Sequence, residues 1–374
     1  MKPSVCLAMI VKNESHIIER CLESLKDHIS YWVIADTGST DETPKLIQET
    51  LAGIPGELHH DAWQDFSHNR NLVHVRAVGK ADWVLSHDAD DILEGDFSDL
   101  TDRADAFGVH VFLGAVRFVS PRLFSGGLPW RFVGEQDEHM EVGGRRIAFC
   151  KSAIIHSDGA GSRHTSEQSK EDARVLRGMP RTPRNVFNLG QRLRDAGEIE
   201  EAIKCFDERV AMGDWEEERW MAAWYAAELD GSPERMVQCI RMDPKRAEPY
   251  YWLAVHHKKD NPEFAHMFAH RAARLRIPKR VLSIRYDIYR WLALELCSEL
   301  AWKVDDNETA AWASRELLGR DGIPVESIER ARRNLEIIEE HLEAMNGARE
   351  RDAGMVSLSP EGGHSHAQEA SEKA

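Results

Sequence analysis

The residues best suited to chemistry in this chain are carboxylates placed at the ends of apolar runs. Asp88, Asp90 and Asp91 follow Trp83 to Ser86 in the stretch WVLSHDADD, and Asp36 closes the run YWVIAD. Like charges this crowded cost free energy unless water or a positive partner compensates them. Carboxylate oxygens are hard ligands that suit Mg2+ or Mn2+. Such a cation would bridge the phosphates of a nucleotide and neutralise a departing diphosphate. Taken singly, each piece also reads as ordinary structure: an acidic pair in a solvated loop, or a turn and helix cap at Asp36 and Ser39.

The elements that must position these residues favour the chemical reading. Along residues 4 to 160, short strand-forming runs alternate with amphipathic stretches: SVCLAMIV, ESHIIERCLESLKDH, YWVIADTG, DETPKLIQETL, GELHHD, HNRNLVHVRAVG and DWVLSHD. That alternation predicts an α/β layer domain with a mainly parallel sheet. Ligands of such sheets bind beyond the carboxyl ends of the strands. Three segments should therefore meet on one rim: AMIVKNE with Asn13 and Glu14, IADTGSTDETP with Asp36, and the DADD stretch. Ser39 to Glu42 has the spacing of a capping box for the following helix.

From 182 to 345 the strand signals vanish and helical periodicity takes over, as in RNVFNLGQRLRDAGEIEEAIKCFDERV. The expected class is α/β plus all-α: an α/β domain over 1–165, a basic linker or lid over 166–181, a helical domain over 182–346 and a polar, aperiodic tail over 347–374. With 374 residues, of which 42% are hydrophobic, the chain is long enough to bury two cores. Its net charge of -16 argues against holding nucleic acid over the whole surface and leaves only a local basic groove for that role. No apolar run approaches the roughly 20 residues of a membrane span, and the first residues lack a signal-peptide core, which points to the cytoplasm. The cysteines, at 6, 21, 150, 205, 239 and 297, contain no CxxC pair, so neither a zinc cluster nor a disulfide framework is expected.

Read in order, CLAMIVKNESHIIERCLESL, VIADTGSTDETPKLI, AWQDFSHNRNL and DWVLSHDADDIL resemble the N-terminal half of a family 2 glycosyltransferase of the GT-A fold. The similarity continues through PRLFSGGLPWRFVGEQDEHM and IIHSDGAGSRHTSEQSKEDARVL into a tetratricopeptide-like region. The whole pattern resembles bacterial and viral glycosyltransferases with C-terminal helical repeats. The resemblance implies a UDP- or GDP-sugar as donor and Mn2+ or Mg2+ as cofactor. It assigns the backbone at Ala8 and Met9 and the side chain of Asp36 to the base and ribose, and Arg70 to the nucleotide or its phosphates. Asp88 and Asp90 match the family's D-x-D, with Asp90 the direct metal ligand and Asp88 reaching the ribose or a metal-bound water. His156, in IIHSDG, matches a late histidine that completes the metal site. Relatives carry a His-Glu pair after a W-R-[YF]-x-G segment, the glutamate acting as base of an inverting transfer. Here the pair reads Asp137-Glu138, so Glu138 is the expected base and Asp137 the alternative.

In the helical half, Leu189-Gly190, Leu193, Ala202 and Phe206 fit the L-G-x2-Y and A-x3-F positions of a tetratricopeptide unit, with Leu for Tyr and Val186 for Trp. The interleaved Trp215, Trp220, Trp224 and Trp252 read as core. Stacked helix pairs expose a concave surface suited to an extended partner. That favours a macromolecular acceptor, protein rather than DNA; the plainer reading makes the helices a brace for the first domain. Between the halves, Arg163, His164, Lys170, Arg174, Arg177, Arg181 and Arg184 form a basic segment. It is either a solvated helix with ordinary ion pairs or a lid or groove that meets the donor phosphates or an anionic acceptor, with Arg163 and Lys170 the nearest candidates. Two rival functions remain open: a repeat scaffold with a non-catalytic nucleotide-sugar module, and a nucleotidyltransferase, which would release pyrophosphate instead of a nucleoside diphosphate.

Overall fold

The computed structural model describes residues 3–134, 139–141, 143–159 and 166–356, with side chains as far as 347. The expected alternation is present as β1 (Val5–Val11), α1 (Ile18–Leu25), β2 (Tyr31–Asp36), α2 (Thr43–Thr50), β3 (Gly56–His60), α3 (Phe66–Ala77) and β4 (Trp83–Ser86). β1 lies parallel to β2 and β4, and β2 parallel to β3. Along β1, Val5, Leu7 and Met9 meet Ile18, Leu22 and Ile47 of α1 and α2 on one face, while Cys6 and Ala8 meet Val73 and Ala77 of α3 on the other. Burial on both faces explains why the strand reads as an unbroken apolar run.

The chain continues through β5 (Asp91–Gly95), β6 (Ala106–Leu113), β7 (Val116–Ser125), the short pair β8 (Phe132–Val133) and β9 (His139–Met140), and β10 (Ile147–Ser157). The sheet order is β3-β2-β1-β4-β7-β6-β10-β5. In this outer half only β6 and β10 run parallel; the β4–β7, β6–β7 and β5–β10 pairs are antiparallel. The mainly parallel sheet expected from the sequence is thus confined to its first four strands. Between β6 and β7 the connection is just Gly114-Ala115, and a link that short permits only an antiparallel neighbour.

By its internal contacts the chain forms two compact units, one of residues 1–253 and 275–289, the other of 254–274 and 290 onward. In the first unit the sheet is followed by α4 (Ser166–Arg177), α5 (Pro183–Ala196), α6 (Ile199–Ala211), α7 (Glu216–Asp230) and α8 (Pro233–Met242), each packed on the next. Residues 166–177, inside the expected basic linker, are therefore α4, with Ala173 and Leu176 buried. Thr182 caps α5, Pro183 opens it, and Gly197 ends it with φ 84, the start and stop signals that the sequence carries. A Cβ at Gly190 would lie 2.7 Å from the Phe206 ring, so the glycine of the tetratricopeptide pattern marks the close approach of α5 to α6. After α9 (Glu248–His257) and α10 (Pro262–Arg274), β11 (Ile284–Arg285) adds antiparallel to β7, pairing Ile284 with Arg117.

The second unit is built from α10, α11 (Ala293–Lys303), α12 (Asn307–Leu318) and α13 (Val325–Val356), with Ala301, Ala310, Ala311 and Ile338 at its centre. α13 extends past 347, where the sequence suggested a structureless tail; Ala, Arg and Glu in that stretch are good helix formers. Every cysteine is buried and unpaired. Among the described residues no helix is long and apolar enough to cross a membrane.

One buried histidine makes the fold acid-sensitive. His74 of α3 packs edge-on against Phe124 and Phe132, at 5.6 and 5.0 Å, and its Nε2 has no hydrogen-bond partner. Burial first, and then the charge of Arg70, push its pKa from 6.5 down to about 3. Between those values the unfolded chain binds a proton that the folded chain does not, so stability falls as pH falls, by about 1.4 kcal/mol per pH unit for this group. His74→Leu should flatten the plot of Tm against pH below 6.5 and change little at pH 8. An acid slope identical to the wild type would refute this account.

Candidate active site

In a sheet ordered 3-2-1-4 the strand order turns back between β1 and β4, and the crevice at their carboxyl ends is the natural ligand site. Ala8 pairs with Ser86, the last residue of β4, and the His87 N–H donates to the Ala8 carbonyl at 3.3 Å. The end of β1 therefore runs on beyond its neighbour. Ala8 and Met9 themselves sit inside the strand, buried on opposite faces of the sheet. Asn13 and Glu14 stand past its end.

The β1 and β2 loops brace each other. Asn13, with φ 58, donates its N–H to Ser39 Oγ at 2.9 Å, and its Oδ1 accepts from the Thr40 N–H at 2.8 Å. The Glu14 N–H donates to Thr43 Oγ1 at 2.8 Å. Because α2 starts only at Thr43, the expected Ser39–Glu42 capping box does not form: Ser39 lies too far upstream and serves the turn. Gly38, with φ 106, makes that turn. Asp36 is buried; its carboxylate accepts the Ser39 N–H at 3.1 Å and lies 3.3 Å from His60 Nδ1.

Positive charge reaches the acidic stretch from two arginines. Asp88 accepts from Arg70 at 2.6 Å and from Arg122 at 2.8 Å, and Arg122 is also 3.3 Å from Asp91. Burial alone would raise the Asp88 carboxyl, but the two guanidiniums outweigh it and hold Asp88 well below the usual carboxylate range. Asp91 moves the other way: burial and the neighbouring Asp88 charge raise it, against Arg122. The crowding that suggested a cation from sequence is thus relieved in part by Arg70 and Arg122, and Asp36 stands apart with its own partners.

Nothing in the local sequence marks Arg122. Phe107 pairs with Leu123 but Gly108 with Pro121, leaving Arg122 as the extra residue of a β-bulge. Bulges re-aim a side chain beside functional sites, and this one brings a guanidinium to Asp88.

Asp90 is buried beside the end of β10: Ser157 Oγ donates to its carboxylate at 3.4 Å, and the Asp158 N–H to its carbonyl at 3.5 Å. Burial, together with the charges of Asp90, Asp41 and Asp88, raises the Glu14 carboxyl, which places Glu14 in the same field. His156 turns elsewhere. Its Nε2 lies 2.6 Å from Glu94 and its ring stacks on Phe112 at 5.5 Å. Among the described residues no group of three or more His, Cys, Asp or Glu side chains is placed to hold a metal ion. Asp137, Glu138, Arg163 and His164 lie outside the described residues.

The basic segment is paired. Lys170 lies 3.4 Å from Glu167, Arg174 pairs with Glu171, Arg177 with Glu198 and Glu201, Arg181 with Glu208, and Arg184 with Glu218. This is the ion-paired reading of those residues.

Beside the rim opens a cavity of about 1120 Å³, bordered by Ser86, Asp88, Arg70 and Arg122, by His139 and Met140, and by residues 277–282. Trp220 and Trp224 are buried as expected, but Trp215 is 41% exposed and lines this cavity.

Residues 6–168 match the family description "Glycosyl transferase family 2". That match covers the α/β part, a little under half of the chain. All rim residues from Asn13 to His156 fall inside it, whereas Arg184, Trp215 and residues 277–282 of the cavity wall lie beyond it. A TPR repeat-containing protein of Synechococcus elongatus is 43% identical over 89 residues, covering 24% of this chain and 21% of that protein. The prophage-derived glycosyltransferase SunS of Bacillus subtilis is 33% identical over 91 residues, with the same coverage of 24% and 21%. The matched part thus spans about a fifth of these curated relatives. Among solved structures, S. aureus TarS in complex with UDP-GlcNAc aligns with a TM-score of 0.36 and 12% identity over 81% of this chain and 92% of that one. A region that matches family 2, followed by a run of helices, is the order of parts that the sequence suggested.

Proposed function

We propose that this chain is a glycosyltransferase that moves a sugar from a UDP- or GDP-sugar to an acceptor hydroxyl with inversion, in a reaction that depends on a divalent cation. The reading is supported by the coincidence of a match to family 2 with Asp36, Asp88 and Asp90 at the carboxyl ends of the neighbouring strands β2 and β4 that flank β1. The nucleoside lies across that crevice, with Asp36 toward the base and ribose and the Arg70–Asp88 pair toward the ribose and phosphates. Mg2+ is commonly held by one or two carboxylates together with substrate phosphates and water. Asp90 fits that role as a buried hard-oxygen ligand, and His156, held by Glu94, would join it only after turning. When bound, the cation supplies charge stabilisation to the leaving diphosphate.

Glu138 directly precedes His139, which lines the cavity. It accepts the proton of the acceptor hydroxyl while the oxygen forms its bond to the anomeric carbon and the bond to the diphosphate breaks. A single in-line displacement inverts that carbon. The helical array favours a macromolecular acceptor, and its carboxylate-paired arginines favour protein over DNA.

The test is a panel of nucleotide sugars with Mn2+, read as a shift in Tm and then as released nucleotide. A matching donor should raise Tm by mass action and release a nucleoside diphosphate. Release of pyrophosphate from a nucleoside triphosphate would instead identify a nucleotidyltransferase, and binding without release a scaffold.

A further inference from the structure

The cavity beside the rim is larger than a donor sugar alone requires, since small-molecule pockets commonly span roughly 300–1000 Å³ and this one holds about 1120 Å³. Its charge is lopsided. Cationic side chains of Arg70, Arg117, Arg122, Arg184, Lys279 and Arg280 border it, with Asp88 the one acidic lining residue among those described. Most of these cations are committed: Arg70 and Arg122 to Asp88, Arg184 to Glu218 and Arg280 to Asp243. Arg117 and Lys279 make no ion pair with any described carboxylate.

Arg117 is half-buried on β7, and its guanidinium carbon sits 5.2 Å from the centre of the Tyr286 ring. Burial lowers its pKa, opposed only by the phenols of Tyr286 and Tyr289, the opposite of what a paired arginine shows. Next to it, His110 keeps Nδ1 buried without a hydrogen-bond partner, and burial followed by the Arg117 charge pushes that imidazole down to about 4. The surrounding surface is apolar: Phe118, Val119, Phe149, Trp215, Pro278 and Leu282. The wall is fixed in place, because the Val119 N–H donates to the Val281 carbonyl and the Tyr286 N–H to the Ala115 carbonyl, each at 2.8 Å.

A partly desolvated cation without a counter-charge is costly unless an anion joins it, and a bidentate guanidinium suits a planar or tetrahedral oxyanion. We propose that this part of the cavity is the acceptor site, and that it selects an acceptor whose entering portion carries an oxyanion, carboxylate or phosphate, beside an apolar or aromatic group. Arg117 and Lys279 meet the oxyanion, and Trp215, Phe118 and Phe149 cover the apolar part. The assignment as acceptor site rests on the glycosyltransferase reading. The donor-side pair Arg70–Asp88 borders the same cavity. Arg117 is five positions from Arg122 along β7, roughly 16 Å at strand spacing.

The test is titration calorimetry on the full chain at constant ionic strength with phenyl phosphate, 3-phenylpropionate and neutral 3-phenylpropanol, and separately with UDP and GDP. At least one aryl anion should bind about tenfold tighter than the alcohol, the scale of one charge-assisted hydrogen bond. The tighter of the two anions identifies the oxyanion. Arg117→Met and Lys279→Met should each erode that preference, and Arg117→Lys should keep part of it, while all three retain nucleotide binding as a check on folding. Equal binding of the alcohol and both anions, or a preference that survives in both Met variants, overturns the proposal. If the anion preference holds but neither nucleotide binds and no nucleotide sugar is turned over, the oxyanion site stands and its role as an acceptor site falls with the glycosyltransferase reading.

Discussion

Asp90→Asn is expected to fold like the wild type and to lose at least about 10²-fold in cation-dependent turnover, the usual consequence of deleting a charge contact to a developing anion. The amide keeps the shape of the carboxylate and still offers an oxygen to Ser157 Oγ, 3.4 Å away. Asp88 keeps both arginine partners, and removing one negative charge from an acidic loop does not strain it. Stability and turnover therefore separate in this variant. The check is Tm alongside steady-state transfer at saturating Mn2+ or Mg2+, with the donor found by the nucleotide-sugar panel. Wild-type turnover by a well-folded variant would remove Asp90 from the metal site, and with it the D-x-D correspondence.

Glu138→Gln is expected to keep donor affinity within a few fold and to lose about 10²–10⁴ in transfer, the range contributed by a positioned general base. The amide preserves volume and accepts hydrogen bonds but cannot take the acceptor proton. Raising pH should restore part of the rate, because a hydroxyl closer to its own ionisation needs less help from a base. Asp137→Asn is the paired control. If that variant shows the separation of binding from transfer and Glu138→Gln does not, the base is one residue earlier, and if neither does, this segment does not supply it.

The first four strands and their helices were legible in the sequence because burial on both faces leaves an apolar run that little else explains. The rim followed from topology alone, since Asp36 ends its strand and Asn13 and the DADD stretch follow the ends of theirs. What stayed hidden depends on pairing between distant segments. Arg122 matters because β7 carries one residue more than β6 opposite it, a property of two strands that neither shows by itself. His156 was singled out within IIHSDG, yet its hydrogen bond to Glu94 comes from the register of β10 against β5. Ser39 had capping spacing but was claimed by Asn13, whose left-handed backbone has no signature beyond being an asparagine. In the basic segment, the glutamates that pair with Arg177, Arg181 and Arg184 come from the next helices, so local sequence could not say whether those charges were spent.

The addition of β11 to β7 has a bearing on how the molecule comes to work during its own synthesis. Domains tend to fold from the N-terminus as they emerge, and every strand that carries the acidic rim is present by the end of β10. The cavity is not, since Val281 and Ile284 must still reach Val119 and Arg117 across the intervening helices. A nascent chain would thus own a donor rim well before it owns the enclosed space beside it, and contacts of such long sequence separation form late. Competence to transfer would arrive as a timed event, set by the emergence of a two-residue strand that no reading of the family 2 match by itself would include.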